Sequence, residues 1–304
     1  MPPSQSEADL IQSAFWILVS CRPMKRWETV TIVGVGLIGG SIGLALRQRG
    51  LAEQIIGVGR SQEKLEKAQG LGIIDTATTS IEQSVADADL VVVCTPVATI
   101  VPQIQQLATA CRPGSLITDV GSTKATMAHA LREPLAEGVY FVGSHPLAGS
   151  EQSGFEHASA DLFVDRVTVV TPTSETRAED EAAVGEFWSS LGSTVVSMSP
   201  EEHDKALAMT SHLPHVAASA TAAVTPIEYL NLVAGGWTDT TRVAAGEVEL
   251  WRQILVDNRN NIVESIDQLI EKLQAFRDSL ASGDEEKLIQ LLNAGKQNRD
   301  ALGS

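Results

Sequence analysis

A glycine-rich hexapeptide and a scattered set of histidines, acids and arginines carry the chemistry available to this chain. Gly34-Val35-Gly36-Leu37-Ile38-Gly39 spells G-x-G-x-x-G, directly after the β-branched run Thr29 to Val33 and at the opening of a helical pattern that continues to Arg49. In that setting the first glycine makes a tight turn, the second lets a pyrophosphate approach the backbone and the third lets helix and strand pack closely. Leu37 and Ile38 then open the helix, where unpaired N–H groups and the dipole favour an anion. A structural glycine turn or a methyltransferase loop shares the letters, but the strand–loop–helix context selects dinucleotide binding. About 20 residues further on, an NAD site carries an acid for the ribose hydroxyls. Here the second strand ends Gly59-Arg60-Ser61 instead. Gly59 makes room, Arg60 is cationic and Ser61 can donate a hydrogen bond, which suits a 2′-phosphate. NADP is therefore the expected cofactor. NAD is the alternative, with Arg60 stacked on adenine. Thr95 and Pro96 end another strand and are expected to line the cofactor ribose.

His145 lies in Gly143-Ser144-His145-Pro146, next to a strand's C-terminal end, where ligands bind in open α/β sheets. Its imidazole titrates near neutrality and can accept a proton. A lone histidine there is more often structural. Ser122 and Lys124, which also follow a strand end, turn the balance toward a site. His212 and His215 flank Leu213-Pro214. No third ligand is evident and Pro214 breaks the spacing, so no metal is expected. His203 and Asp204 open a helical stretch, where they serve equally well as a helix cap or as site residues.

The elements that must hold these groups follow from periodicity. Leu90 to Cys94 is a continuous apolar run of the kind buried on both faces of a parallel sheet. Gln54 to Val58, Leu116 to Asp119 and Tyr140 to Gly143 are further strands, with helical stretches between them. Arg166 to Thr171 and Thr194 to Ser197 add edge strands around a helix over Ala178 to Leu191. This alternation predicts an α/β fold with a doubly wound Rossmann-type N-terminal domain. After Pro200 strand patterns vanish. Glu201 to Val224, Leu250 to Leu280 and Glu285 to Asn298 read as helices, the second as one long amphipathic helix. The expected organisation is an N-terminal extension over 1–26, a dinucleotide-binding domain over 27–199 and an all-helical C-terminal substrate-binding and dimerisation domain over 200–304. Its apolar faces suggest a homodimer.

Bulk properties exclude several classes. The 304 residues are 43% hydrophobic and 20% charged, which fits a folded chain. A formal net charge of −16 argues against nucleic acid and anionic membranes as partners. Three cysteines without metal-type spacing point to a reduced, cytoplasmic setting. Ala14 to Cys21 is a short apolar run preceded by Glu7 and Asp9, the reverse of a signal peptide's charge order. Met24, just ahead of the first strand, is an alternative start.

Several segments together resemble the prephenate/arogenate dehydrogenase family. They are G-V-G-L-I-G-G-S-I-G-L-A-L-R from Gly34, T-D-V-G-S-T-K from Thr118, G-S-H-P-L-A-G-S-E from Gly143, E-E-H-D from Glu201, S-H-L-P-H from Ser211 and G-W-T-D-T-T-R-V-A from Gly236. The resemblance implies oxidative decarboxylation of prephenate to 4-hydroxyphenylpyruvate, on the route to tyrosine, or of arogenate to tyrosine. It gives His145 the hydroxyl proton, and Ser122 the tasks of orienting His145 and touching the nicotinamide side. Arg242 becomes the candidate for the ring carboxylate, since a guanidinium offers a bidentate fork. Asp239 would hold that fork in place, or form a plain surface pair with it. His215 is implied as a substrate contact, His212 as a weaker one. Glu151 would gate the pocket or pair with a basic residue. Trp237 and Thr238 stand where many relatives carry Phe-Arg, which leaves the substrate's side chain open. Two rival readings are a β-hydroxyacid dehydrogenase, whose helix-borne lysine has no counterpart here, and a non-catalytic NADP-binding sensor.

Overall fold

The computed structural model describes residues 26–149 and 152–303. Glu151 and the apolar run near the N-terminus, with Met24, lie outside the described residues.

β1 (Trp27–Val33) and β4 (Leu90–Val93) are rich in β-branched residues and almost wholly buried, while β2 (Ala52–Val58) and the short β3 (Thr76–Thr78) toward the sheet's edge are partly exposed. β5 (Leu116–Asp119), β6 (Tyr140–Pro146), β7 (Val167–Thr171) and β8 (Thr194–Ser197) complete one eight-stranded sheet in the order β3-β2-β1-β4-β5-β6-β7-β8. All neighbours are parallel except β6 and β7. The order reverses between β1 and β4, and the ends of these two strands form the crevice that such sheets use for ligands.

Alternating side chains build a core on each face. Val30, Ile32, Leu90 and Val92 pack with Ile42 and Leu46 of α1 (Leu37–Arg49) and with Val184, Phe187 and Trp188 of α6 (Ala178–Ser190). Val33, Val91, Val93 and Ile117 face the other way, against Val85 of α3 (Ile81–Val85), Ile100, Ile104 and Leu107 of α4 (Val97–Ala108) and Met127 of α5 (Ala125–Ala130). α2 (Gln62–Gly70) links β2 to β3. Burying one such Val or Leu contributes about 1.5–3 kcal/mol, so helices on both faces are what hold the sheet.

α7 (Pro200–Leu207) runs into a π-helical turn, Ala208–His212, and then α8 (Leu213–Val224), α9 (Gly235–Thr241), α10 (Val248–Asp257), α11 (Arg259–Ser282) and α12 (Glu285–Ala301). The predicted single helix from Leu250 to Leu280 is broken at Asn258, whose backbone leaves helical values at φ −99°, ψ 26°. Its side chain turns to Asn261 and the His212 ring instead, the competition with helix that asparagine favours. The chain forms two compact units. One runs to Asp204 and takes in Ala245–Asp257; the other holds Lys205–Ala244 and the helices from Asn258 onward. α10 belongs to the first unit, where Gln253 Oε1 accepts from the Ala98 N–H at the start of α4.

Candidate active site

The glycine loop is built as a cradle. Gly34 has φ +98°, and a Cβ there would lie 2.7 Å from the Cys94 carbonyl oxygen. A Cβ on Gly39 would lie 2.2 Å from the Gly34 carbonyl oxygen, so only glycine lets α1 approach β1 this closely. Gly36, the N-cap of α1, faces open space, and neither a capping side chain nor an acid in the first turn competes for the helix N-terminus. The residues present therefore fit a dinucleotide pyrophosphate. The two glycines should separate folding from binding. Gly36→Ala is expected to leave the melting temperature unchanged and weaken dinucleotide binding at least about tenfold, roughly 1.4 kcal/mol. Gly39→Ala is expected to lower the melting temperature as well. Thermal melts beside fluorescence titration of the cofactor read both.

At the second strand's end, Arg60 is exposed and Gly59 is half-buried against Leu65. Ser61 caps α2, its hydroxyl accepting from Lys64 N–H at 3.3 Å. Thr95 is half-buried and hydrogen-bonded to Gln103, and Pro96 is the N-cap of α4.

Beside this cradle β5 and β6 bring a second group together. The Ser144 hydroxyl donates to the Asp119 carbonyl oxygen at 2.6 Å and accepts from the Trp188 indole at 2.8 Å. Lys124, 1% exposed, donates from Nζ to Asp119 at 2.5 Å and to the Ser144 carbonyl oxygen at 2.8 Å. Burial pushes the Lys124 ammonium down, and Asp119 opposes that shift. This buried network fixes β6, and with it His145, which is half-buried at the strand's end. His145 Nδ1 lies 2.9 Å from His203 Nε2, and His203 Nδ1 lies 2.8 Å from Asp204 Oδ1. His203 is fully buried and Asp204 is 2% exposed. Burial lowers the His203 pKa; Asp204 pulls it up, Lys124 pushes it further down and Asp119 raises it. Asp204 also accepts the backbone N–H groups of Lys124 and Ala125, at 2.8 and 2.9 Å. His145, which Ser122 was expected to orient, thus has its Nδ1 held by His203. Ser122 itself is half-buried in the loop after β5.

The second unit holds the remaining candidates. His212, 1% exposed in the π-helical turn, is 3.1 Å from Asn258 Nδ2. His215 is 7% exposed; burial lowers its pKa, and a hydrogen bond with the Val243 backbone opposes the shift. That bond ties α8 to the residue next to Arg242. Asp239 and Arg242 are both exposed, and no ion pair joins them among the described residues. Asp239 lies in α9, and Arg242 opens the 3₁₀ turn over Arg242–Ala245 that follows it, its own backbone still helical at φ −49°, ψ −44°. The expected Asp239 prop for the guanidinium is therefore not formed. Sequence reasoning left His203 and Asp204 undecided. Their signal was the E-E-H-D segment, but nothing in it told which strand they would meet.

Comparison with known proteins identifies the family. Residues 42–197 match the family described as prephenate dehydrogenase, nucleotide-binding domain, and residues 199–294 match prephenate dehydrogenase, dimerization domain. A prephenate dehydrogenase of Bacillus subtilis is 36% identical over 285 residues, covering 90% of this chain and 76% of the relative. The crystal structure of a prephenate dehydrogenase from Aquifex aeolicus, in complex with hydroxyphenyl propionate and NAD+, superposes with a TM-score of 0.84 at 32% identity, covering 93% of this chain and all of the other. An arogenate dehydrogenase from Synechocystis superposes with a TM-score of 0.77 at 31% identity, covering 90% of this chain and 99% of the other.

Proposed function

The chain belongs to the prephenate dehydrogenase family, whose reaction is the oxidative decarboxylation of prephenate by a pyridine nucleotide, and we propose that His145 is the base that drives it here. The observation that carries this reading is His145 at the C-terminal end of β6, with one ring nitrogen held by a buried partner. When bound, the nicotinamide supplies the hydride acceptor. His145 takes the hydroxyl proton as that carbon is oxidised to a ketone. Carbon dioxide then leaves, and its bonding pair moves through the ring to the ketone oxygen. That oxygen takes the proton back from His145 and becomes the phenol. Aromatisation supplies the driving force, and no net proton is consumed. Arg242 holds the ring carboxylate, His215 is a further substrate contact and His212 a weaker one. Glu151 gates the pocket or pairs with a basic residue, and Ser122 touches the nicotinamide side.

Gly34, Gly36, Leu37, Ile38 and Gly39 hold the pyrophosphate, Thr95 and Pro96 the ribose. NADP is the preferred form, supported by the exposed Arg60 where NAD sites place an acid. Residues 27–199 bind the nucleotide, and 200–304 bind substrate and pair with a second copy. The dimer is supported by exposed apolar residues on α11 at coiled-coil spacing, Val263, Ile270, Leu273 and Leu280. Free thiols at Cys94 and Cys111 suit a cytoplasmic enzyme, and no described helix is long and apolar enough to cross a membrane.

Mixing the enzyme with prephenate and NADP, and following nucleotide reduction together with carbon dioxide release, tests the reaction. Arogenate is run in parallel, because one solved relative bears that name and Trp237 and Thr238 alter the segment before Arg242. The expected kcat/KM favours NADP over NAD by at least about tenfold, and Arg60→Ala removes the preference. A tenfold preference for NAD would overturn the cofactor assignment.

A further inference from the structure

We infer that His203 and Asp204 form a positioning pair that fixes His145 in the tautomer carrying its proton on Nδ1, which makes Nε2 the nitrogen that takes the substrate's proton. The inference rests on the reading of His145 as the base. The chain of atoms dictates it from the inside outward. Both Asp204 oxygens face backbone N–H donors, those of Lys124 and Ala125, which can only donate. Asp204 Oδ1 is therefore an acceptor toward His203 Nδ1, 2.8 Å away, and that nitrogen carries a proton. In a neutral imidazole the other nitrogen is then the acceptor. His203 is fully buried, and burial disfavours its charged form. Its Nε2 lone pair meets His145 Nδ1 at 2.9 Å, so His145 must donate there. The proton on His145 is thereby assigned to Nδ1, and Nε2 keeps its lone pair.

A free histidine prefers the opposite tautomer, with the proton on Nε2, which cannot act as a base at that atom. The buried pair reverses that preference before substrate arrives. It also acts after the proton moves. The imidazolium formed on His145 still donates from Nδ1 to His203 Nε2, and His203 in turn leans on the Asp204 carboxyl group. The other ionisable groups around the pair, Lys124 and Asp119, are locked to each other at 2.5 Å on the β5 side. Asp204 is itself fixed by the N-terminus of α5, so the pair ties the base on β6 to the start of that helix.

The test combines two readouts. With 15N-labelled histidine, the NMR spectrum of the wild-type protein should show His145 with Nδ1 protonated and Nε2 bare at neutral pH, its signals assigned by their loss in His145→Asn. His203→Ala should shift His145 toward the Nε2–H form and lower kcat about 10²-fold, at the lower end of what a positioned proton acceptor supplies, with KM little changed. His203→Gln, whose side-chain oxygen can still accept from His145 Nδ1, should recover most of that loss. A wild-type His145 carrying its proton on Nε2 overturns the inference even if His203→Ala fails to fold. So does a His203→Ala enzyme with kcat within about twofold of wild type. If His145→Asn keeps its turnover, the reading of His145 as base fails instead, and the tautomer result stands apart from it.

Discussion

Replacing His145 with asparagine is expected to lower kcat about 10³-fold while leaving KM for substrate and cofactor within a few-fold. Proton transfer by a positioned side chain supplies roughly 10²- to 10⁴-fold, and the oxidised carbon cannot release hydride cheaply while its hydroxyl keeps its proton. Asparagine is the informative replacement because its amide can donate toward His203 Nε2, as Nδ1 now does at 2.9 Å, yet has no site that takes a proton near neutrality. The Ser144, Asp119 and Lys124 network that fixes β6 is untouched by the change, so folding should persist. Loss confined to kcat is the mark of an interaction made in the transition state. The acid side of the kcat–pH profile, where the wild-type base becomes protonated and inactive, should also disappear. Steady-state kinetics across pH read both effects, and a variant with near-normal kcat removes His145 from the chemistry.

The nucleotide-binding half was legible because each of its signals is local. A buried strand writes itself as Leu90 to Val93, and Gly39 is needed within its own turn, where a Cβ would lie 2.2 Å from the Gly34 carbonyl oxygen. What could not be read depends on partners distant in the chain. His203 and Asp204 satisfy helix-start chemistry as well as site chemistry, and only the placement of β6 and α5 around them decides between the two. Ser122 was expected to orient His145 from the family resemblance, and nothing in the sequence said that His203 would hold one of the ring nitrogens. Asn258 hid inside an amphipathic pattern because its neighbours keep the apolar period across the break. Periodicity also says which face of α10 is apolar, without saying that this face belongs with α4 in the first unit.

Arg242→Ala is expected to raise KM for the carboxylate-bearing substrate and lower kcat/KM by ~2–5 kcal/mol, the scale for removing one partner of a desolvated charge pair, or roughly thirty- to several-thousand-fold. In the structure Arg242 is exposed on the 3₁₀ turn after α9, with Asp239 standing apart from it. The guanidinium is therefore not held by the acid three residues earlier, and the turn that carries Arg242 is tied to α8 by the His215 contact to the Val243 backbone. Asp239→Ala should accordingly cost much less than Arg242→Ala, since a surface acid is worth at most about 1 kcal/mol. Arg242→Lys separates charge from geometry: lysine keeps the positive charge and loses the two-pronged fork, so its KM should fall between wild type and Arg242→Ala. If the alanine variant keeps a wild-type KM, the carboxylate lies elsewhere. If lysine equals arginine, the site reads charge alone and the fork has no part in recognition.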